Sequence, residues 1–200
     1  MKKLQTEEHS PTCAKESLRI TLALIASSMW SCKSMDIKRA FLQRNSLDRE
    51  IFVKPPKEAK TKNISKLNKC VYGLNEAFRF WYKRVCEEFT KIGLTKSDYD
   101  DALFYYKPNK KEPCEGIIVI HVDDFLYGGS KQYEKKIEEI HQEFVVGSEF
   151  DAPFKYVGLD VNRDDNAIIA DQSSYIERIE EIDIKNRNEK SKPLEKHEQS

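Results

Sequence analysis

The sequence predicts an α+β fold built on an antiparallel sheet, and three observations carry that prediction. Two apolar stripes recur at helical spacing, one through Phe78, Trp81, Val85, Phe89 and Ile92 and one through Tyr133, Ile137, Ile140 and Phe144. Residues 116–122 open on Gly116 and continue as a β-branched run broken only by His121. They are followed by Asp123-Asp124 and then by Phe125-Leu126-Tyr127, the pattern of a hairpin with two carboxylates at its bend. The order of elements is helix, strand, strand, helix, strand, hairpin, helix, hairpin, helix. Hairpins mixed with helices favour antiparallel pairing over a regular strand–helix alternation.

The elements follow in order. Leu18, Leu22, Ile25 and Met29 give a first helix over residues 17–30. Residues 32–37 read as a short strand with Met35 and Ile37 on one face and Asp36 on the other. Residues 51–53 are a second strand, stopped by Pro55-Pro56, and residues 57–69 are a lysine-rich loop. The long helix covers residues 75–92, with Gly93 as its C′ residue. A strand over residues 103–107 and a polar turn over 108–115 precede the hairpin. The next helix, residues 131–144, takes Ser130 as its N-cap. Two strands, 154–161 and 167–170, surround an Asp164-Asp165-Asn166 turn, and a last helix is expected over residues 173–184.

Composition bounds the function. Of 200 residues 39% are hydrophobic and 34% charged, which makes a modest core, but 21 aromatics are too many for a disordered chain. Thirty-four basic and 34 acidic residues leave no net charge, so any polyanion must be met by a local patch. Cys13, Cys32, Cys70, Cys86 and Cys114 form no CxxC pair, which argues against a zinc framework. Residues 1–10 lack the apolar core of a leader, and the odd cysteine count fits a reducing compartment. The longest apolar stretch, residues 18–30, contains Arg19 and is too short to span a bilayer. The expectation is an intracellular, non-secreted protein, cytoplasmic or nuclear, with no membrane partner.

Three Asp-Asp pairs occur, and context separates them. Asp100-Asp101 lies in a polar lead-in and Asp164-Asp165 heads a turn, whereas Asp123-Asp124 sits between two apolar strands. Adjacent carboxylates beside buried strands repel one another and lose hydration, and a divalent cation is the simplest compensation. Asp36, also held between apolar strand residues, lies 87 residues before Asp123, enough for a helix and a return strand. Three carboxylates on neighbouring strands suit two Mg²⁺ ions, which activate an attacking hydroxyl and stabilise a leaving pyrophosphate. The alternative for each is plain: a solvated bend, and a strand-end cap.

Further blocks add to these. Met35-Asp36-Ile37-Lys38-Arg39-Ala40-Phe41-Leu42 contains the first carboxylate. Ile51-Phe52-Val53-Lys54-Pro55-Pro56 follows. Cys70-Val71-Tyr72-Gly73-Leu74 leads to Ala77, Arg79, Trp81 and Tyr82. His121-Val122-Asp123-Asp124, Tyr156-Val157-Gly158-Leu159-Asp160-Val161 and Gln172-Ser173-Ser174-Tyr175-Ile176 complete the set. In this order and spacing, over roughly residues 10 to 185, the chain resembles the reverse transcriptase domain of copia-type retrotransposon Pol polyproteins.

The resemblance implies a reverse-transcriptase palm, a ferredoxin-like antiparallel sheet with packed helices, with partial fingers. It divides the chain into a disordered N-terminus (residues 1–9), the palm and partial-fingers domain (residues 10–185) and a charged tail (residues 186–200). It implies RNA-directed DNA polymerase activity by two-metal transfer from a dNTP to a primer 3′-hydroxyl. Asp36, Asp123 and Asp124 match the catalytic, metal-binding carboxylates, with Mg²⁺ or Mn²⁺ as cofactor. Phe41 matches the aromatic beneath the nucleotide sugar that excludes a 2′-hydroxyl, and Glu76 falls in the block around the incoming nucleotide. Arg79, Lys83, His121, Tyr156 and Gly158 fall where template and primer are held. The implied partners are an RNA template, a DNA or RNA primer, dNTPs and other Pol-derived domains.

The chain also departs from the pattern. Asn75-Glu76-Ala77-Phe78-Arg79 stands where the family has K-Q-A-P-R, and His121 where it has Tyr. No basic fingers segment precedes the match, and protease, integrase and ribonuclease H regions are absent. These departures keep two other readings in view: a degenerate, non-catalytic relic, and an RNA- or protein-binding module on the same fold.

Overall fold

The computed structural model describes residues 11–43, 50–56, 58–60, 63–68, 71, 74–165 and 167–180, with Leu42, Gln43, Asn75 and Glu76 described for their backbone. The expected disordered N-terminus and charged tail, residues 1–9 and 186–200, lie outside the described residues.

Helix α1 (Lys15–Ser27) leads into β1 (Lys33–Ile37) and a short 3₁₀ turn, Ala40–Gln43. A two-stranded ribbon, β2 (Phe52–Val53) with β3 (Ser65–Lys66), precedes α2 (Asn75–Lys91). Then come β4 (Leu94–Lys96), β5 (Leu103–Tyr106), β6 (Gly116–His121), β7 (Asp124–Gly129), α3 (Lys131–Glu143), β8 (Val146–Asp151), β9 (Phe154–Tyr156), β10 (Leu159–Arg163), β11 (Ile168–Asp171) and α4 (Ser173–Ile176). The main sheet has the order β4-β5-β6-β7-β1-β8, with every neighbouring pair antiparallel; β11-β10-β9 form a second, three-stranded sheet. The expected α+β class with an antiparallel sheet is therefore what the chain adopts.

Period-two alternation divides the main sheet into two buried faces. Met35, Ile37, Ile118, Ile120, Phe125 and Tyr127 meet α2 and α3 through Trp81, Val85, Phe89, Tyr133 and Ile137. Ile117, Val119 and Leu126 meet α1 through Leu18 and Leu22, together with Phe154, Tyr156 and Val161 of the small sheet. Burying each such large side chain contributes about 1.5–3 kcal/mol before conformational entropy is set against it. The strands β6 and β7 are thus covered on both sides, which is why both read as near-continuous apolar runs.

Local chemistry ends the helices as expected. The Ser130 hydroxyl accepts the Tyr133 N–H at the start of α3, and Gly93 follows α2 at φ +89°. Gly116 and Gly129 are opposite each other in the β6–β7 ladder, beneath the Tyr133 ring. A Cβ at Gly116 would lie 2.1 Å from that ring.

Four differences from expectation have physical causes. Residues 154–161 are a tight hairpin, not one strand: Val157 (φ +49°) and Gly158 (φ +77°) turn the chain between β9 and β10. Strands β3, β4 and β8 were not foreseen, β3 falling within the expected lysine-rich loop; all three lie at sheet edges, where one neighbour suffices and no strict alternation is imposed. The last helix is one turn long, Ser173–Ile176, and none of it is buried; residues 177–180 are not helical, and residues 181–184 lie outside the described residues. Phe78 of the expected apolar stripe is only half-buried and packs edge-on against Phe41, while Phe80 is the buried residue beside it.

Candidate active site

The site grows from the register of three strands. Asp36 of β1 is directly opposite Asp124 of β7, and Asp124 is directly opposite His121 of β6. Directly opposed residues share a face, so Asp36, Asp124 and His121 all lie on the α1 side of the sheet. Val122 and Asp123 form the two-residue turn of the β6–β7 hairpin, with Val122 at φ +61°. That backbone resembles a II′ turn, where Gly is usual at the first central position; a β-branched residue there is strained.

Tertiary contacts hold the strained turn. The Trp81 indole N–H donates to the Val122 carbonyl at 2.7 Å, and the Ile37 N–H donates to the Asp123 carbonyl at 2.9 Å. The first bond ties α2 to the turn, and the second ties β1 to it. Beneath the hairpin, the buried Tyr156 hydroxyl lies 3.4 Å from both the Val119 and Asp124 carbonyls. On the edge side, a Cβ at Gly147 of β8 would sit 2.3 Å from Asp36 Oδ2, so the carboxylate lies directly over the glycine backbone.

The electrostatics are those of gathered anions. Burial, and then the Asp123 charge, push the Asp36 carboxyl above its ordinary value, while Lys38 pulls it back. Burial, then the Asp123 and Asp36 charges, push the Asp124 carboxyl up as well, while His121 opposes them. Hard carboxylate oxygens under mutual repulsion suit a divalent cation such as Mg²⁺. Among the described residues, however, no group of three or more His, Cys, Asp or Glu side chains is already closed around a metal position.

The remaining sequence-expected residues take different places. Phe41 stands in the 3₁₀ turn, half-buried, with its ring centroid 4.8 Å from that of Phe78. Arg79 and Lys83 are exposed on α2; the Arg79 guanidinium lies 5.1 Å from the Phe80 ring centroid and Lys83 Nζ 3.9 Å from Glu87. The helix carrying them packs on the sheet face opposite to the one that bears Asp36 and Asp124. Tyr156 is in the core, so Val157 and Gly158 are the parts of its segment open to solvent. The side chain of Glu76 lies outside the described residues.

The other acidic pairs do ordinary structural work. Asp100 accepts the Ala14 and Ala102 N–H groups, Asp101 pairs with Lys96 at 2.6 Å, and Asp164 accepts the Ala167 N–H. In the lysine-rich loop Lys66 pairs with Glu50 and Lys60 is exposed, while Lys62 and Lys69 lie outside the described residues. Cys13, Cys32, Cys86 and Cys114 are free thiols, and no described helix is long and apolar enough to cross a membrane.

Two contributors escaped the sequence reading. Trp81 was seen as part of an apolar stripe, yet a buried indole N–H needs an acceptor, and that need was a usable signal. Gly147 left no such signal, because its role depends on a strand remote in sequence.

Comparison with known proteins completes the description. The chain is 30% identical over 200 residues to the retrovirus-related Pol polyprotein from transposon TNT 1-94 of Nicotiana tabacum, covering 96% of this chain and 15% of that protein. It is 26% identical over 175 residues to the Pol polyprotein from transposon RE1 of Arabidopsis thaliana, covering 85% of this chain and 12% of that protein. The chain therefore spans a small part of the length of the curated relatives it matches. Among solved structures it is similar to apo telomerase from Candida tropicalis truncated from the C-terminal domain, with a TM-score of 0.47 and 12% identity over 81% of this chain and 41% of that one. The profile of the family described as reverse transcriptase (RNA-dependent DNA polymerase) matches residues 3–196, and the chain belongs to that family.

Proposed function

We propose that this chain performs RNA-directed DNA synthesis, joining a dNTP to a primer 3′-hydroxyl on an RNA template, with Asp36, Asp123 and Asp124 as its catalytic carboxylates. The observation that carries the reading is the direct opposition of Asp36 and Asp124 on two central strands, with Asp123 in the adjoining turn. Like charges placed opposite each other destabilise a sheet, so an unligated structural role offers no reason to gather them.

Asp36, Asp123 and Asp124 would hold Mg²⁺ or Mn²⁺. The bound ions would supply Lewis-acid activation of the primer hydroxyl and charge stabilisation on the leaving pyrophosphate. The chain's own residues fix the carboxylates: the β1–β7 ladder sets Asp36 against Asp124, and the Trp81 and Ile37 bonds hold the turn that carries Asp123. Phe41 takes the place beneath the sugar and Glu76 a place near the triphosphate. His121, Tyr156 and Gly158 serve the primer side, with Tyr156 acting through the backbone it supports. Arg79 and Lys83 serve template phosphates.

The test combines binding and turnover. Mg²⁺ or Mn²⁺ raises the melting temperature of the wild-type chain by mass action, and Asp123→Asn removes that increment. Primer extension on an RNA template falls by at least a hundredfold in Asp36→Asn and Asp124→Asn. Equal metal-induced shifts in wild type and Asp123→Asn would remove the carboxylates from the metal site. Metal binding without primer extension would support the relic reading.

A further inference from the structure

Three consecutive residues at the end of α3 touch both elements that carry the candidate carboxylates. The buried Phe144 ring packs edge-on against Trp81, with centroids 5.2 Å apart, and Trp81 in turn holds the Val122 carbonyl of the β6–β7 turn. The Val145 carbonyl accepts the Lys38 N–H at 2.9 Å and so fixes the chain just past Asp36. Glu143, the last residue of α3, offers its carbonyl to the half-buried Arg84 of α2. The guanidinium donates to that carbonyl at 2.9 Å and lies 5.1 Å from the Phe144 ring centroid. Trp81 and Arg84 are neighbours one turn apart on α2, so a single face of that helix grips the junction.

The junction governs where β8 starts, and that start matters for Asp36. Asp36 pairs with Ser148 and Ile37 with Val146, so β8 carries one extra residue, Gly147, at this point. A bulge of this kind bends its strand and re-aims the side chains beside it. The Asp36 carboxylate lies over that same glycine. A shift of residues 143–145 would move the bulge beneath Asp36 and, through Trp81, the turn that carries Asp123. Arg84 is suited to prevent it. A guanidinium can stack on an aromatic face and donate to a carbonyl at once. It also stands at the negative end of the α3 dipole, where the last carbonyls lack helical partners.

We infer that Arg84 is a positioning residue for the carboxylate cluster: by clamping the α3–β8 junction it fixes the spacing between Asp36 and the hairpin of Asp123 and Asp124. The inference rests on the two-metal reading above. It adds a residue of α2 that acts on the carboxylates through Trp81 and residues 143–145.

The experiment compares wild type, Arg84→Gln, Arg84→Lys and Ile137→Val, each as the whole chain. Ile137 is a buried residue of α3 about two turns before the junction, so Ile137→Val lowers stability without touching it. Thermal melts confirm that each variant is folded. Hydrogen exchange is followed in the metal-free chain at the Ile37 and Lys38 amides, which donate to the Asp123 and Val145 carbonyls. Calorimetry gives the Mn²⁺ affinity, and primer extension on an RNA template gives kcat and the dNTP KM. In Arg84→Gln both amides should exchange about tenfold faster than in Ile137→Val. Mn²⁺ affinity and kcat should each fall about tenfold, the low end for residues that orient metal ligands, with the dNTP KM unchanged. Arg84→Lys keeps the charge and a donor but not the planar fork, and should recover part of all three.

Exchange rates and Mn²⁺ affinity in Arg84→Gln equal to those of Ile137→Val would overturn the positioning role and leave the polymerase reading intact. So would a raised dNTP KM at unchanged kcat, which would make Arg84 a substrate contact. A wild-type chain that binds Mn²⁺ without extending primers would sink the polymerase reading, while faster exchange and weaker Mn²⁺ binding in Arg84→Gln would still uphold the positioning role. A wild-type chain that binds no Mn²⁺ would remove both together.

Discussion

The indole N–H of Trp81 donates to the carbonyl of Val122 at 2.7 Å, and Val122 holds a positive φ of +61° at the turn that carries Asp123. A left-handed backbone at a non-glycine residue costs about 1–2 kcal/mol, more for a β-branched one, and the bond from α2 helps to offset that cost. The long helix thus does more than cover the sheet. It holds a strained turn in one conformation.

Replacing Trp81 by Phe keeps most of the apolar contact and removes the bond. Denaturant unfolding should show a loss of about 1–2 kcal/mol, the range for one hydrogen bond plus a modest packing defect. The effect on primer extension should be larger, about tenfold in kcat with the nucleotide KM little changed, because the turn is freed while the nucleotide contacts stay. A kcat equal to wild type would mean that the β-ladder alone positions Asp123.

Gly147→Ala tests the approach of Asp36 to β8. The new Cβ would meet Asp36 Oδ2 at 2.3 Å, and that atom is the end of a rotatable side chain. The carboxylate should swing aside at a cost of less than about 1 kcal/mol in stability. The Mg²⁺-induced rise in melting temperature should shrink to roughly that of Asp36→Asn. A full metal response in Gly147→Ala would show that Asp36 can serve from its displaced rotamer.

Gly116→Ala and Gly129→Ala should behave in the opposite way. Each new Cβ falls about 2.1–2.2 Å from the fully buried Tyr133 ring, which has nowhere to go. Overpacking of this kind costs about 1–3 kcal/mol or more. Calorimetric unfolding should show the loss, and Tyr133→Leu should recover part of it in the double variants while destabilising the wild type. Equal losses in single and double variants would break the link to Tyr133.

Asp160 gives a pH-dependent prediction. Its carboxylate accepts the Ser174 N–H at 2.8 Å and faces Lys155 at 3.6 Å; the backbone bond, then the Ser174 and Lys155 side chains, hold its pKa below the ordinary value. A depressed pKa means that the unfolded state binds the proton more readily. The stabilisation is therefore complete above the unfolded value, near pH 4, and is lost as pH falls through the lower folded value. The stability difference between wild type and Asp160→Asn should be constant from about pH 5 to 7 and should shrink below about pH 4. A difference that grows on acidification would contradict the assignment.

The carboxylates of this candidate site were legible in the sequence, whereas their geometry was not. Asp36, Asp123 and Asp124 stood out because carboxylates are out of place among apolar strand residues. Nothing local could say that Asp36 opposes Asp124, since register between strands 87 residues apart is set by the whole sheet. The β9–β10 turn was hidden because Val157 is a poor residue for positive φ, so the segment looked like one strand. Strand β8 was hidden because Gly147 and Ser148 interrupt its alternation, and an edge strand needs little of it. Helix α4 was over-read: its periodic residues Tyr175, Ile176 and Ile179 are exposed, and a helical pattern with no surface to pack on does not extend a helix.

The position of β1 sets an order of assembly. This strand, residues 33–37, is synthesised well before both of its neighbours, yet it is inserted between β7 and β8, residues 124–129 and 146–151. While the intervening chain is being made, a segment carrying Met35, Asp36 and Ile37 has neither of its neighbours. The β6–β7 hairpin can form early from adjacent residues, but the step that brings the first carboxylate to the other two closes a loop of nearly ninety residues. The gathering of the three carboxylates is therefore a late product of folding. A nascent chain stopped before residue 146 would carry all three aspartates while still lacking the strand that locks Asp36 from its outer side.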